Sequence, residues 1–188
     1  MEVLIDSIRA EHYVAGEKSL LLCPPHPLMG GNRFDVRLER VANEVRKIGF
    51  STLSFDYRSP FRNGIGEVED AKICIRYLRE RYEFVAVFGY SFGSVVASNV
   101  SNECDAAIYL SPILKINEIE FKDCKIPKLF IIAKKDQIVS LNDSRKIVES
   151  ASNPKVVVEL DTDHFYFGVF DIMAKTVVNF LNNLDNIF

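Results

Sequence analysis

Tryptophan is absent from this chain, histidine occurs only three times, and the four cysteines stand far apart, at positions 23, 74, 104 and 124. With no C-x-x-C pair, neither a zinc ribbon nor a thioredoxin-type redox site is indicated, and buried free thiols are expected. Cys23 precedes His26 by three residues, but Pro24 and Pro25 intervene and no second ligand pair follows. No metal and no cofactor are therefore expected. Also missing is any apolar run of the roughly 18 residues that a membrane span requires. The first residues, Met1-Glu2-Val3-Leu4-Ile5-Asp6, carry an acid where a signal peptide carries positive charge, so the expected location is cytoplasmic, with no membrane partner. The formal net charge is −3 with both signs interspersed, which leaves no basic stripe for phosphate backbones and argues against nucleic acid. Nine glycines and seven prolines in 188 residues are too few for a long disordered segment.

What remains is an ordinary globular composition, 48% apolar and 26% charged, on a chain long enough for one well-buried core. A single domain over residues 1–188 is expected. Short runs rich in branched and aromatic residues alternate with longer helical patterns, as in βα units around a mainly parallel sheet. Strands are expected at 3–8, 11–14, 19–23, 51–56, 84–88, 106–110, 128–133 and 155–160. Helices are expected at 33–48, 67–82, 92–102, 143–150 and 169–184. The first of these helices places Phe34, Leu38, Val41, Val45 and Ile48 near one face before a Gly49 C-cap. Residues 111–127 form the one irregular stretch, too short for a cap domain, so a fairly open site is expected. A homodimer through an edge strand or the terminal helix is left open by the composition.

The chemistry is concentrated in Gly89-Tyr90-Ser91-Phe92-Gly93, a G-x-S-x-G sequence between an apolar run and a helix-compatible segment. A serine hydroxyl is a weak nucleophile unless it is thrust toward a base, and a sharp strand-to-helix turn does this at the cost of backbone strain. Among His12, His26 and His164, the best base is His164, just beyond a strand in Asp161-Thr162-Asp163-His164-Phe165. Sites in open α/β sheets lie at such carboxyl ends. Asp136 stands in the turn after the 128–133 strand and is the favoured acid, with Asp143, Asp161 and Asp163 as rivals. The chain order Ser91, Asp136, His164 is that of α/β-hydrolase triads. An oxyanion hole needs two backbone N–H groups. Phe92, opening the helix, is expected to supply one, and Leu28 the other, with Met29 in reserve because Pro27 has no N–H. His26 is read as shaping its turn. Met29 and Phe165 are expected to contact substrate. Tyr166 and Phe167 are read in part as core, and Arg58 and Arg62 more as structural anchors than as ligands for an acidic substrate.

Taken together, His26-Pro27-Leu28-Met29-Gly30-Gly31-Asn32, Phe55-Asp56-Tyr57-Arg58, Gly64-Ile65-Gly66-Glu67, the G-x-S-x-G turn, Asp136 and Asp163-His164 resemble the α/β-hydrolase superfamily. The resemblance runs from about residue 20 to the C-terminal helix and is nearest to small, lidless members similar to dienelactone hydrolases and carboxylesterases. It implies the α/β-hydrolase fold, a mostly parallel twisted sheet flanked by helices without a large cap domain, and hydrolysis through an acyl-enzyme. Dienelactone hydrolases proper carry cysteine at the nucleophile position, so Ser91 points to small esters or thioesters as substrates. The competing expectation is a non-catalytic member of the fold that binds a small molecule or a protein.

Overall fold

The computed structural model describes residues 1–184. Its centre is an eight-stranded sheet in the order β1-β2-β4-β3-β5-β6-β9-β10. The strands are β1 (Glu2–Ile5), β2 (Ile8–Tyr13), β3 (Lys18–Cys23), β4 (Phe50–Phe55), β5 (Phe84–Tyr90), β6 (Ala106–Leu110), β9 (Lys128–Ala133) and β10 (Lys155–Leu160). A two-stranded ribbon of β7 (Lys115–Ile116) and β8 (Ile119–Glu120) lies apart from it. From β4 through β10 every neighbouring pair is parallel. Within this sheet the antiparallel pairs are β1–β2 and β2–β4.

Parallel strands covered on both faces should read as unbroken apolar runs, and Leu20-Leu21-Leu22-Cys23 in β3 is buried throughout. The pleat splits that run by alternation. Leu21 and Cys23 join Val85 and Val87 against α2 (Ile65–Arg79) and α3 (Phe92–Val100), while Leu20 and Leu22 join Phe88 against α1 (Val36–Arg46) and α5 (Phe170–Asn182). The remaining helix, α4 (Leu141–Ser150), adds Ile147 to the first of these cores. All four cysteines are buried and unpaired. No helix among the described residues is long and apolar enough to cross a membrane.

Several boundaries depart from the sequence pattern, each for a local reason. The run 3–8 is not one strand, because Asp6 and Ser7 take positive φ, 44° and 69°, and reverse the chain so that Ile5 pairs with Ile8. Two positive-φ residues are what a tight hairpin turn with the sheet's twist requires. Helix α1 starts only at Val36, since Asp35 caps it by accepting the Arg37 N–H at 2.9 Å, and Arg33 is drawn away to Asp56. The stretch 111–127 is less irregular than expected, containing the β7–β8 ribbon.

On the far side of the β4 carboxyl end, the Asp70 carboxylate is fully buried. It accepts from the Arg58 N–H at 2.8 Å, from the Arg58 guanidinium Nε at 2.7 Å and from Arg62 at 2.7 Å. Both arginines thus anchor to a buried acid. A buried charge is tolerated only when its donors are in place. Asp70→Ala is therefore expected to destabilise the fold by about 3 kcal/mol, measured by urea denaturation. A midpoint equal to that of the wild type would refute the assigned role.

Candidate active site

Strand order reverses at β3, whose neighbours β4 and β5 lead the chain in opposite directions across the sheet. Crevices open at the carboxyl ends of the strands at such a point. Ser91 follows β5 directly and caps α3 with φ 55° and ψ −120°, a conformation that a side-chain-bearing residue holds only under constraint. The flanking glycines make it attainable. A Cβ at Gly89 would stand 2.0 Å from the Gly93 carbonyl oxygen, and one at Gly93 would stand 2.2 Å from the Cys23 oxygen. At Gly89 the start of α3, and at Gly93 the end of β3, leave no room for a methyl group.

The structure brings Ser91, His164 and Asp136 together, although β6, β9 and β10 separate them in the chain. His164 Nε2 lies 3.1 Å from Ser91 Oγ, and His164 Nδ1 lies 2.7 Å from Asp136 Oδ2. With Nδ1–H donating to the carboxylate, Nε2 is left as the acceptor facing the serine. The second oxygen of Asp136 accepts the N–H groups of Ile138 at 2.9 Å and Val139 at 2.7 Å, and Ser111 Oγ donates to Oδ2 at 3.1 Å. Burial alone would raise this carboxyl. The His164 hydrogen bond, the Val139 N–H, the His164 charge and the Ile138 N–H outweigh it and hold the group below the ordinary carboxylate value. Of the rival acids, Asp161 pairs with Lys135 and Asp143 with Lys146, and Asp163 accepts the Phe165 N–H.

Around Ser91 and His164 lies a cleft of about 190 Å³, lined also by Pro25, His26, Met29, Gly30, Gly31, Asp35, Arg37, Tyr90, Ile138 and Phe165. Met29 and Phe165 both stand at this cleft. A larger, separate depression of about 360 Å³, bordered by Arg9, Asp56 and Arg58, holds none of the three residues. The aromatic run divides its roles: Phe165 faces the cleft, Tyr166 is fully buried and Phe167 is exposed.

The Leu28 N–H expected for the oxyanion hole is already engaged in this structure. It donates to His26 Nδ1 at 3.2 Å, that of Met29 donates to the His26 carbonyl at 3.0 Å, and the Leu28 side chain is 71% exposed. Both donors are spent on the short 3₁₀ turn Pro27–Met29. On this loop the His26 N–H, like that of Asn32, has no acceptor among the described residues, and of the two only His26 lines the cleft; Phe92 likewise has a free N–H at the start of α3. The His26 ring itself is wedged between Phe61 and Phe92, with centroids 4.8 Å from each, and its Nε2 meets Asn117 Oδ1 of the β7–β8 turn at 3.2 Å.

Some residues of the site carry no sequence signal of their own. Tyr90 Oη donates to the His164 carbonyl at 2.8 Å, and the Arg37 guanidinium lies over the Tyr90 ring at 4.6 Å while paired with Asp35. Tyr90 occupies the first free position of G-x-S-x-G, and its β5 location next to the nucleophile is the one clue that could have singled it out.

Comparison with known proteins bears on the fold. Residues 58–167 match the Dienelactone hydrolase family. An uncharacterized protein of Rickettsia prowazekii is 25% identical over 183 residues, covering 86% of this chain and 77% of that one. Among solved structures, a lidless α/β serine hydrolase from Xanthomonas campestris superposes with a TM-score of 0.87 at 17% identity, covering 97% of this chain and 94% of that one. An α/β serine hydrolase homologue from Coxiella burnetii gives 0.84 at 20% identity, with 95% of each chain covered. An esterase from Pyrococcus furiosus gives 0.81 at 17% identity, covering 98% and 91%.

The tight contact between the serine turn and β3 can be tested directly. Gly93→Ala is expected to lower stability by about 1–3 kcal/mol through overpacking, read as a shift in the urea midpoint. An unchanged midpoint would mean that the turn is not held at this spacing.

Proposed function

Because the chain belongs to the Dienelactone hydrolase family, we propose that it is a serine hydrolase that cleaves small carboxylic esters or thioesters through an acyl-enzyme on Ser91. The observation that carries this reading is the pair of contacts made by His164, 3.1 Å to Ser91 Oγ and 2.7 Å to Asp136 Oδ2, beside a serine held in a strained turn.

His164 Nε2 takes the proton of Ser91 Oγ as the oxygen attacks the substrate carbonyl, and the imidazolium formed is held by Asp136. The negative charge on the carbonyl oxygen is met by the Phe92 N–H, where the positive end of α3 adds to the effect, and by the His26 N–H in place of Leu28. His164 then delivers its proton to the departing alcohol or thiol. A water molecule that enters loses a proton to His164 and attacks the acyl carbon, releasing the acid and restoring Ser91. No metal or cofactor takes part in these steps. The cleft suits a short acyl group, since the space of about 190 Å³ bounded by Met29, Ile138 and Phe165 surrounds a few carbons and a longer chain extends past it into solvent.

The wild type is expected to take up a single fluorophosphonate label by intact mass, and to hydrolyse p-nitrophenyl acetate and butyrate with kcat/KM at least about tenfold above the octanoate. Ser91→Ala should lose both labelling and about 10⁴-fold or more of kcat. A folded wild type that neither labels nor turns over any of these esters would replace this reading with that of a binding protein.

A further inference from the structure

Two buried hydroxyls behind the acid have no part in the steps above, and their proton directions can be counted. Asp136 Oδ2 already receives His164 Nδ1–H, and the Ser111 hydroxyl donates to the same oxygen at 3.1 Å. A hydroxyl has one proton, so with that proton committed Ser111 Oγ must act as acceptor toward Tyr166 Oη, 2.8 Å away. The Tyr166 phenol has a second acceptor within reach, the Ile131 carbonyl, at the longer distance of 3.3 Å. The shorter contact gives a directional chain: Tyr166 O–H to Ser111, and Ser111 O–H to the carboxylate, which holds the imidazole from the other side. Ser111 is 1% exposed and Tyr166 0%, so water does not substitute for either.

The backbone shows that this arrangement is maintained against local preference. Ser111 has φ 48° and Tyr166 φ 59°, the left-handed region that is unfavourable for a residue with a Cβ and rare for one as bulky as tyrosine. Ser91, at φ 55°, joins them: Ser91 contacts His164, Ser111 contacts Asp136, and Tyr166 reaches the pair through Ser111. Strain of this kind persists where surrounding contacts over-determine it. For Ser111 those contacts include its N–H on the Ile131 carbonyl at 2.9 Å.

We propose that Ser111, aligned by Tyr166, is a positioning residue that holds Asp136 ionised and aimed at His164. The inference rests on the hydrolase reading for its consequence in turnover, but not for its effect on the imidazole. Removing the Ser111 donor leaves the carboxylate more basic. Both it and the histidine then protonate at higher pH, so the acid limb of the activity profile moves upward.

Ser111→Gly separates this role from a structural one, because glycine removes the hydroxyl and also relieves the positive φ. Its Tm is expected to match or exceed that of the wild type. kcat should fall about tenfold, as the loss of a hydrogen bond to a charged group implies, with KM little changed because Ser111 does not line the cleft. The acid limb of kcat/KM should move to higher pH. Tyr166→Phe keeps the ring and should shift kcat and the acid limb in the same direction by a smaller factor, about threefold. In parallel, nitrogen-15 NMR of the His164 ring, assigned by substituting the other two histidines, should show its titration midpoint raised in Ser111→Gly. An unmoved His164 titration would overturn the proposal whatever happens to Tm. If the wild type hydrolyses no ester, the function above fails, while the NMR titration still decides the role of Ser111.

Discussion

Ser91 can point at His164 only while its backbone stays at φ 55° and ψ −120°, and nothing in the serine itself favours that state. The strain is carried by packing. Gly89 and Gly93 let the turn sit against itself and against the end of β3 with no side chain between, and the Ser91 N–H is fastened to the Leu110 carbonyl at 2.9 Å. The central strands β3, β5 and β6 thus act as the vice in which the turn is clamped. Their burial on both faces is what makes the clamp stiff. The loop after β3 and the N-terminus of α3 are brought side by side by the same contact, so that the geometry of any anion site there depends on it.

A second constraint is electrostatic. The Asp136 carboxylate is nearly enclosed, with its side chain 4% exposed, and a bare charge in that position would be costly. Two backbone N–H groups, one hydroxyl and one imidazole N–H turn toward it instead. Because these donors come from the turn after β9, the end of β6 and the loop after β10, the carboxylate ties three strand ends together. Fold and chemistry share one set of hydrogen bonds here.

How far the chain could be read in advance follows from the range of each signal. The buried parallel strands announce themselves because both faces are covered, and β6 and β9 have the same bounds in the structure as in the apolar pattern, as does the partly exposed edge strand β10. Ser91, Asp136 and His164 could be picked out because each stands just beyond a strand, in a sequence order that sheet topology makes meaningful. The free N–H of His26 was not legible. Which amide of the 26–31 loop stays unpaired depends on the His26 ring folding back onto Leu28, a choice made by Phe61, Phe92 and Asn117 from distant parts of the chain. Ser111 is likewise one serine after one strand, and Tyr166 is hidden in an aromatic run that reads as packing. Asp6-Ser7 could have revealed the hairpin, but the apolar residues around them suggested a continuous strand.

The burial of the thiols has a consequence for reactivity. Burial pushes the Cys23 thiol far above its ordinary range, and Cys74 and Cys104 are also raised chiefly by burial. In the closed protein these sulfurs are poor nucleophiles and out of reach, so an acyl donor arriving from solvent finds no thiolate from these three to compete for it. The same sulfurs would react freely once the core opened. The rate at which an alkylating reagent captured them would therefore record how often the molecule unfolds.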